Sequence, residues 1–139
     1  MRTVLVVEDN PLHSKLFAEI LQHYGYRVCL ASDGAEGLPL AHRELPDLMI
    51  IDCYLPSEHP LETVRAACAD GVLCHTPIIA TSAFAGEDER AGLHALGCAG
   101  YVPKPISVGP FMATVRSVLK ETATSDQAGP ARTPARSTA

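Results

Sequence analysis

Apolar residues in this chain arrive in short runs, and each run ends on a polar residue able to do chemistry. Thr3-Val4-Leu5-Val6-Val7 leads into Glu8 and Asp9, Leu48-Met49-Ile50-Ile51 into Asp52, and Ile78-Ile79-Ala80-Thr81 into Ser82. Tyr101-Val102-Pro103 delivers Lys104. Runs this short and this rich in Val and Ile, with helical patterns between them, read as parallel strands buried on both faces. Ligands gather at the carboxyl ends of such strands. Three acids, one hydroxyl and one lysine are therefore expected along one rim of a sheet.

The alternation predicts five strand-helix units. Asn10 can cap a helix whose first residue is Pro11. Leu12, Leu16, Ile20 and Tyr24 recur at every fourth position as its expected buried stripe, and Gly25 ends it. Tyr26 to Ala31 reads as the second strand. A second helix, from Ser32 or Asp33 to about Glu44, must accommodate Gly37 and Pro39, and an interior proline costs a backbone hydrogen bond. Pro46 breaks the chain before a strand over Asp47 to Asp52. A third helix is expected from Pro60 to about Ala69, and Asp70 to Pro77 leads into the fourth strand. Helix four covers about Glu87 to Leu96 with Gly97 in the stop position, followed by a short strand from Gly100 to Val102. Ser107 can cap the last helix, whose Phe111, Val115, Val118 and Leu119 are expected to face inward. Right-handed crossovers then give an α/β fold, a doubly wound parallel sheet with helices on both faces.

Composition narrows this further. With 139 residues, 47% of them hydrophobic, the chain can bury one proper core. Residues 1–121 are expected to form that domain. Thr122 to Ala139, made of small and polar residues without an apolar period, is expected to be disordered, since ordering it would not repay the entropy. A formal charge of −5 and only 11 scattered Lys and Arg argue against direct nucleic-acid binding. The N-terminus lacks the zones of a signal peptide and no stretch reaches ~18 apolar residues, so a cytoplasmic protein is expected, with no membrane contact. Cys29, Cys53, Cys68, Cys74 and Cys98 contain no Cys-x-x-Cys pair and read as reduced, small apolar fillers. The six histidines are dispersed, and His59 reads as a solvated loop residue.

Taken together, Glu8-Asp9-Asn10, Asp52-Cys53-Tyr54-Leu55-Pro56, Ser82-Ala83 and Lys104-Pro105, each following a successive rim strand, resemble the receiver domain of bacterial response regulators. The likeness runs over roughly residues 2 to 121 and is to stand-alone receivers of the chemotaxis and cell-division type. It implies a flavodoxin-like five-stranded sheet in the order 2-1-3-4-5. It also implies a phosphorylation-dependent switch of a two-component system or phosphorelay, not an enzyme beyond its own phosphotransfer and slow autodephosphorylation. Asp52 would accept the phosphoryl group from a phosphohistidine. Mg²⁺, which prefers oxygen ligands, would be held by Asp9 and Asp52, by Glu8 through water and by the backbone carbonyl of Tyr54. Lys104, Ser82 and backbone N–H groups near Ala83 would stabilise the transferring group. Ser82 and Tyr101 would re-pack once it has arrived, and a cis Lys104-Pro105 bond would aim the lysine inward. The implied partners are a histidine kinase or histidine phosphotransfer protein, docking over helix one and the loop after strand five, and a downstream protein target. The molecule itself is expected to be a monomer or weak dimer.

Two positions depart from that pattern. After Pro56 the chain reads Ser57-Glu58-His59-Pro60, with Pro60 in the usual glycine place, so the loop beside Asp52 cannot use a positive φ there. Gly100 stands where an acid is common. The competing reading is accordingly a receiver-like interaction module that acts without phosphorylation. A phosphatase of the haloacid-dehalogenase kind needs a second acid two residues after its nucleophile, where this chain has Tyr54. A flavin or dinucleotide site needs a glycine- or hydroxyl-rich loop after strand one, where Glu8 and Asp9 would repel phosphates. Tyr54 and Phe84 are both expected to project toward the mouth of the site, where two rings would hinder hydrolysis of a phosphoryl group.

Overall fold

The computed structural model describes residues 1–83 and 86–121. Its elements are β1 (Thr3–Val7), α1 (Pro11–His23), β2 (Arg27–Ala31), α2 (Gly34–Glu44), β3 (Leu48–Asp52), α3 (Glu62–Ala69), a 3₁₀ turn (Leu73–His75), β4 (Ile78–Ser82), α4 (Glu87–Leu96), β5 (Gly100–Pro103) and α5 (Val108–Leu119). All strand pairs are parallel, in the order β2-β1-β3-β4-β5. The doubly wound architecture expected from the apolar runs is therefore present.

Because side chains alternate across a strand, each central strand supplies two cores. Leu5, Val7, Met49, Ile51, Ile78 and Ala80 face the side covered by Val64 and Ala67 of α3 and Leu93 of α4. Val4, Val6, Leu48, Ile50 and Ile79 face Phe17 and Leu21 of α1 and Phe111 and Val115 of α5. The two phenylalanine rings meet at 5.4 Å between centroids. Each fully buried side chain of this size contributes ~1.5–3 kcal/mol, which is what presses the helices onto the sheet.

Asn10 caps α1 as expected, its side chain accepting from the N–H groups of Leu12 and His13. The buried face of α1 differs from the expected stripe. It is Ser14, Phe17, Ile20 and Leu21, while Leu12 and Leu16 are exposed. Asp33 caps α2, which runs straight through Pro39. Gly37 has a packing reason: a Cβ there would lie 2.9 Å from Val7 Cγ2, so only glycine lets α2 lie this close to β1. Ser107 precedes α5 but makes no side-chain cap bond. Cys53 and Cys98 are buried fillers as expected, whereas Cys74 is exposed, and all five cysteines are free.

The loop after Asp52 is where the chain departs from expectation most usefully. The third helix begins at Glu62, not at Pro60. The positive φ that Pro60 cannot adopt is taken by its neighbour, Leu61, at φ 65, at a cost of ~1–2 kcal/mol for a residue with a Cβ. Leu61 N–H then donates to the Cys53 carbonyl at 2.7 Å, closing the loop. Glu58 ties the same loop to the start of α2. Its carboxylate accepts from Gly34 N–H at 2.7 Å and from the Thr63 hydroxyl. The tail from Thr122 onward, and Phe84, lie outside the described residues.

Candidate functional site

Register places the polar strand ends side by side. Val7 pairs with Ile51, Asp52 with Thr81 and Ser82 with Pro103, so Glu8, Asp52, Ser82 and Lys104 fall on one rim. Backbone bonds continue past the strand ends: Glu8 N–H donates to the Ala31 carbonyl at 2.9 Å, Cys53 N–H to Thr81 at 2.9 Å and Lys104 N–H to Ser82 at 3.0 Å. The sheet itself thus fixes where these side chains start.

Lys104 reaches across that rim. Its Nζ donates to Glu8 Oε1 at 2.6 Å and to Asp52 Oδ2 at 2.8 Å. The Lys104-Pro105 bond is cis. Glu8 and Asp52 are both buried, so the ammonium is what makes two adjacent carboxylates tolerable there. Burial pushes the Glu8 carboxyl above the ordinary carboxylate range and the Asp52 charge pushes the same way, against the bonds from Lys104 and Asn10. Burial works to lower Lys104, but the hydrogen bonds and charges of Asp52 and Glu8 outweigh it and hold the amine above its ordinary value. Asp52 keeps its other oxygen for Tyr54, whose N–H donates to Oδ1 at 2.8 Å.

Asp9 is the exposed acid of the rim. Glu8, Asp9 and Asp52 can each bring one carboxylate oxygen within 4.8 Å of the others'. Such a group of hard oxygen donors, one of them open to solvent, fits Mg²⁺, which binds few protein carboxylates and keeps several waters.

Ser82 is buried at the end of β4, and Tyr101 on β5 sits beside it, its hydroxyl 3.2 Å from the Ser82 carbonyl oxygen. Tyr54 is partly exposed and its hydroxyl donates to Glu89 on the first turn of α4. That bond, followed by burial, pushes the Tyr54 phenol up to about 12. Glu8, Asp9, Asp52, Ser82 and Lys104 therefore share this rim, with Tyr54 in the loop after Asp52 and Tyr101 within β5, paired with Ala80, reaching Ser82 by its hydroxyl. His59 is exposed and its N–H bonds to Glu62.

Two residues escaped the sequence reading. His13 Nδ1 lies 3.4 Å from Lys104 Nζ and 3.7 Å from Glu8 Oε2. Its signal was position: three residues after a helix cap that directly follows the acid pair, it lies on the first turn facing that pair. Glu89 carried no such signal, because only the tertiary fold brings it to Tyr54.

Comparison with known proteins gives one answer. The response regulator receiver domain family matches residues 4–116. The polar-differentiation response regulator DivK of Brucella anthropi is 38% identical over 118 residues, covering 85% of this chain and 96% of the relative. Among solved structures, the Vibrio cholerae chemotaxis protein CheY4 superposes with a TM-score of 0.79 at 28% identity, covering 85% of this chain and 98% of that one. The receiver domain of the sensor histidine kinase PA1611 of Pseudomonas aeruginosa, which has a magnesium ion coordinated in its active site cleft, gives 0.76 at 28% identity, covering 86% and 98%. Among the described residues no helix is long and apolar enough to cross a membrane. With this sheet order and this rim, the chain belongs to the response regulator receiver domain family of two-component signalling.

Proposed function

We propose that the protein is a phosphorylation-dependent switch in which Asp52 accepts a phosphoryl group from a phosphohistidine. The observation that carries this reading is Asp52 itself: a buried carboxylate with one oxygen on Lys104 Nζ at 2.8 Å and the other on Tyr54 N–H at 2.8 Å, beside two further acids. In the transfer an Asp52 oxygen bonds to phosphorus, the phosphorus–nitrogen bond breaks, and the imidazole leaves and takes a proton. Negative charge grows on the phosphoryl oxygens. Lys104 and the Ser82 hydroxyl, both on the rim, are the groups of this chain placed to meet it.

Asp9 and Asp52, with Glu8 beside them and the Tyr54 carbonyl, would hold Mg²⁺. When bound, the ion screens the repulsion between an anionic nucleophile and an anionic phosphoryl group. Transfer of charge to Asp52 would then re-pack Ser82 and Tyr101 and change the surface formed by α4, β5 and α5. A histidine kinase or histidine phosphotransfer protein is the donor this reading requires, and a separate protein reads the result. The exposed Leu12 and Leu16 on α1, next to the rim, offer the donor an apolar footing.

Incubation with a small phosphodonor and Mg²⁺, followed by intact mass measurement, tests the reading. Wild type should gain one phosphoryl group, and Asp52→Asn, which keeps the volume but forms no acyl phosphate, should gain none. No gain in wild type would favour a receiver-like module that acts without phosphorylation, and incorporation in the variant would overturn the choice of Asp52. The loop beside Asp52, despite Pro60, is closed by Leu61 and Glu58, which supports competence.

A further inference from the structure

One carboxylate on α4 is engaged with two tyrosines that come from the strands flanking β4, Tyr54 after β3 and Tyr101 on β5. Glu89 Oε2 accepts from the hydroxyl of Tyr54, two residues beyond Asp52. Glu89 Oε1 lies 3.5 Å from the hydroxyl of Tyr101 on β5. The same helix also puts Arg90 over the Tyr101 ring, 4.8 Å from its centroid.

Topology gives this link a direction. Asp52 ends β3 and Ser82 ends the adjacent β4. Tyr54 belongs to the loop after β3, and Glu89 to the helix that follows β4. A bond between them joins the loop after Asp52 to the helix after Ser82, beside the two strand ends. The Tyr54 N–H already donates to Asp52 Oδ1, so the tyrosine is fastened at its backbone to the acceptor carboxylate and at its ring tip to α4. A phenol has one proton to donate, so Tyr101 can serve the Ser82 carbonyl at 3.2 Å or Glu89 at 3.5 Å, but not both at once. The carboxylate thus sits where a change at Ser82 alters its second contact.

We propose that Glu89 is a positioning residue that fastens Tyr54 across the mouth of the rim and couples this closure to Tyr101, so that a carboxylate on α4 sets how long a phosphoryl group on Asp52 survives. The inference rests on the reading of Asp52 as phosphoacceptor. In hydrolysis a water oxygen bonds to phosphorus, the bond from phosphorus to the Asp52 oxygen breaks, and the water proton passes to solvent, leaving inorganic phosphate and the free carboxylate. That attack needs an aligned water, and a ring pinned across the mouth obstructs it.

The decisive experiment is a mutant cycle on phosphoryl loss at fixed Mg²⁺, with Tyr54→Phe, Glu89→Ala, both together, and Glu89→Gln. Tyr54→Phe keeps the ring and removes only the hydroxyl link. Each of the first two should lose phosphate about three- to ten-fold faster, and the double variant no faster than either, because the singles remove the same bond. Glu89→Gln keeps an acceptor oxygen and should stay within about two-fold of wild type. Unchanged decay in the single variants, or effects that multiply in the double, would overturn the latch. A second readout needs no phosphate: by NMR, Glu89→Ala should shift the ring signals of both Tyr54 and Tyr101, and Tyr54→Phe should shift those of Tyr101. Stationary rings defeat the proposal by themselves. If wild type takes up no phosphoryl group, the Asp52 reading falls and the lifetime role falls with it, while the ring signals still decide the fastening.

Discussion

Lys104 Nζ lies 2.6 Å from Glu8 Oε1 and 2.8 Å from Asp52 Oδ2, so the resting lysine is shared between the two buried acids of the rim. Removing one member of a buried pair leaves an uncompensated charge and costs ~3–5 kcal/mol, whereas removing both charges together is far cheaper. Lys104→Met should therefore lower unfolding free energy at pH 7 by ~3 kcal/mol, and Glu8→Gln combined with Lys104→Met should recover more than half of that. Urea unfolding of the three proteins checks it. A double variant no more stable than Lys104→Met would mean that Glu8 is not the charge being compensated.

Magnesium should compete for the same carboxylates. A ligand that binds only the folded chain stabilises by mass action, by ~2.7 kcal/mol at a hundred times its dissociation constant. Saturating Mg²⁺ should raise the melting temperature, and Asp9→Ala, which removes the exposed acid without touching the Lys104 pairs, should abolish most of the rise. An equal rise in Asp9→Ala would remove Asp9 from the metal site.

Glycines at two helix positions should respond in opposite directions. Gly37→Ala puts a methyl group 2.9 Å from Val7 Cγ2 and should destabilise by ~1–3 kcal/mol. Gly92, in the interior of α4, has nothing within 4 Å of a Cβ, so Gly92→Ala should stabilise by ~0.5–1 kcal/mol through helix propensity and unfolded-chain entropy. Thermal melts of both variants suffice. A Gly37→Ala variant as stable as wild type or more stable would contradict the close approach of α2 to β1, and a destabilised Gly92→Ala would contradict the open space at α4.

The strands were legible because a strand buried on both faces leaves an uninterrupted apolar run, and the rim followed because each run ended on a polar residue. The face of α1 was not. A strict four-residue spacing advances ~400° and so drifts about 40° at every step, which carries Leu12 and Leu16 off the face that Phe17, Ile20 and Leu21 occupy. The loop after Asp52 was half legible: Pro60 forbids a positive φ, as read, but the fold moved that conformation to Leu61, where local preference gave no warning. Glu58 on Gly34, His13 beside Lys104 and Glu89 on Tyr54 are contacts between distant segments, and no periodicity encodes them.

The end of the described chain has its own anchor. Glu121 accepts from the Tyr26 hydroxyl at 2.5 Å and pairs with Arg2 at 3.1 Å. Deleting residues 122–139 should leave melting and phosphoryl uptake unchanged, while deletion from Glu121 onward should cost ~1–2 kcal/mol by leaving a buried hydroxyl without its acceptor. Equal melting of the two truncations would show that the anchor contributes nothing.

Tyr26 also makes a prediction about alkaline stability. Burial, then the bond to Glu121 and its charge, raise the Tyr26 phenol above its ordinary value of 10.0. The unfolded chain therefore releases this proton before the folded one does. Stability from Tyr26 is fully present below about pH 10 and is lost as pH rises toward the folded value, at up to ~1.4 kcal/mol per pH unit. Buried Cys53 and Cys98, raised to about 12, add alkaline losses of their own. A comparison with Tyr26→Phe cancels them, since both proteins carry the same thiols. At pH 8 the variant should be less stable by ~1.5 kcal/mol, having lost one hydrogen bond to a charged group. By pH 11 that gap should have closed, because the wild type no longer gains from holding the proton. Urea unfolding at the two pH values measures it, and a gap that stays constant would mean that the phenol titrates alike in the folded and unfolded chain.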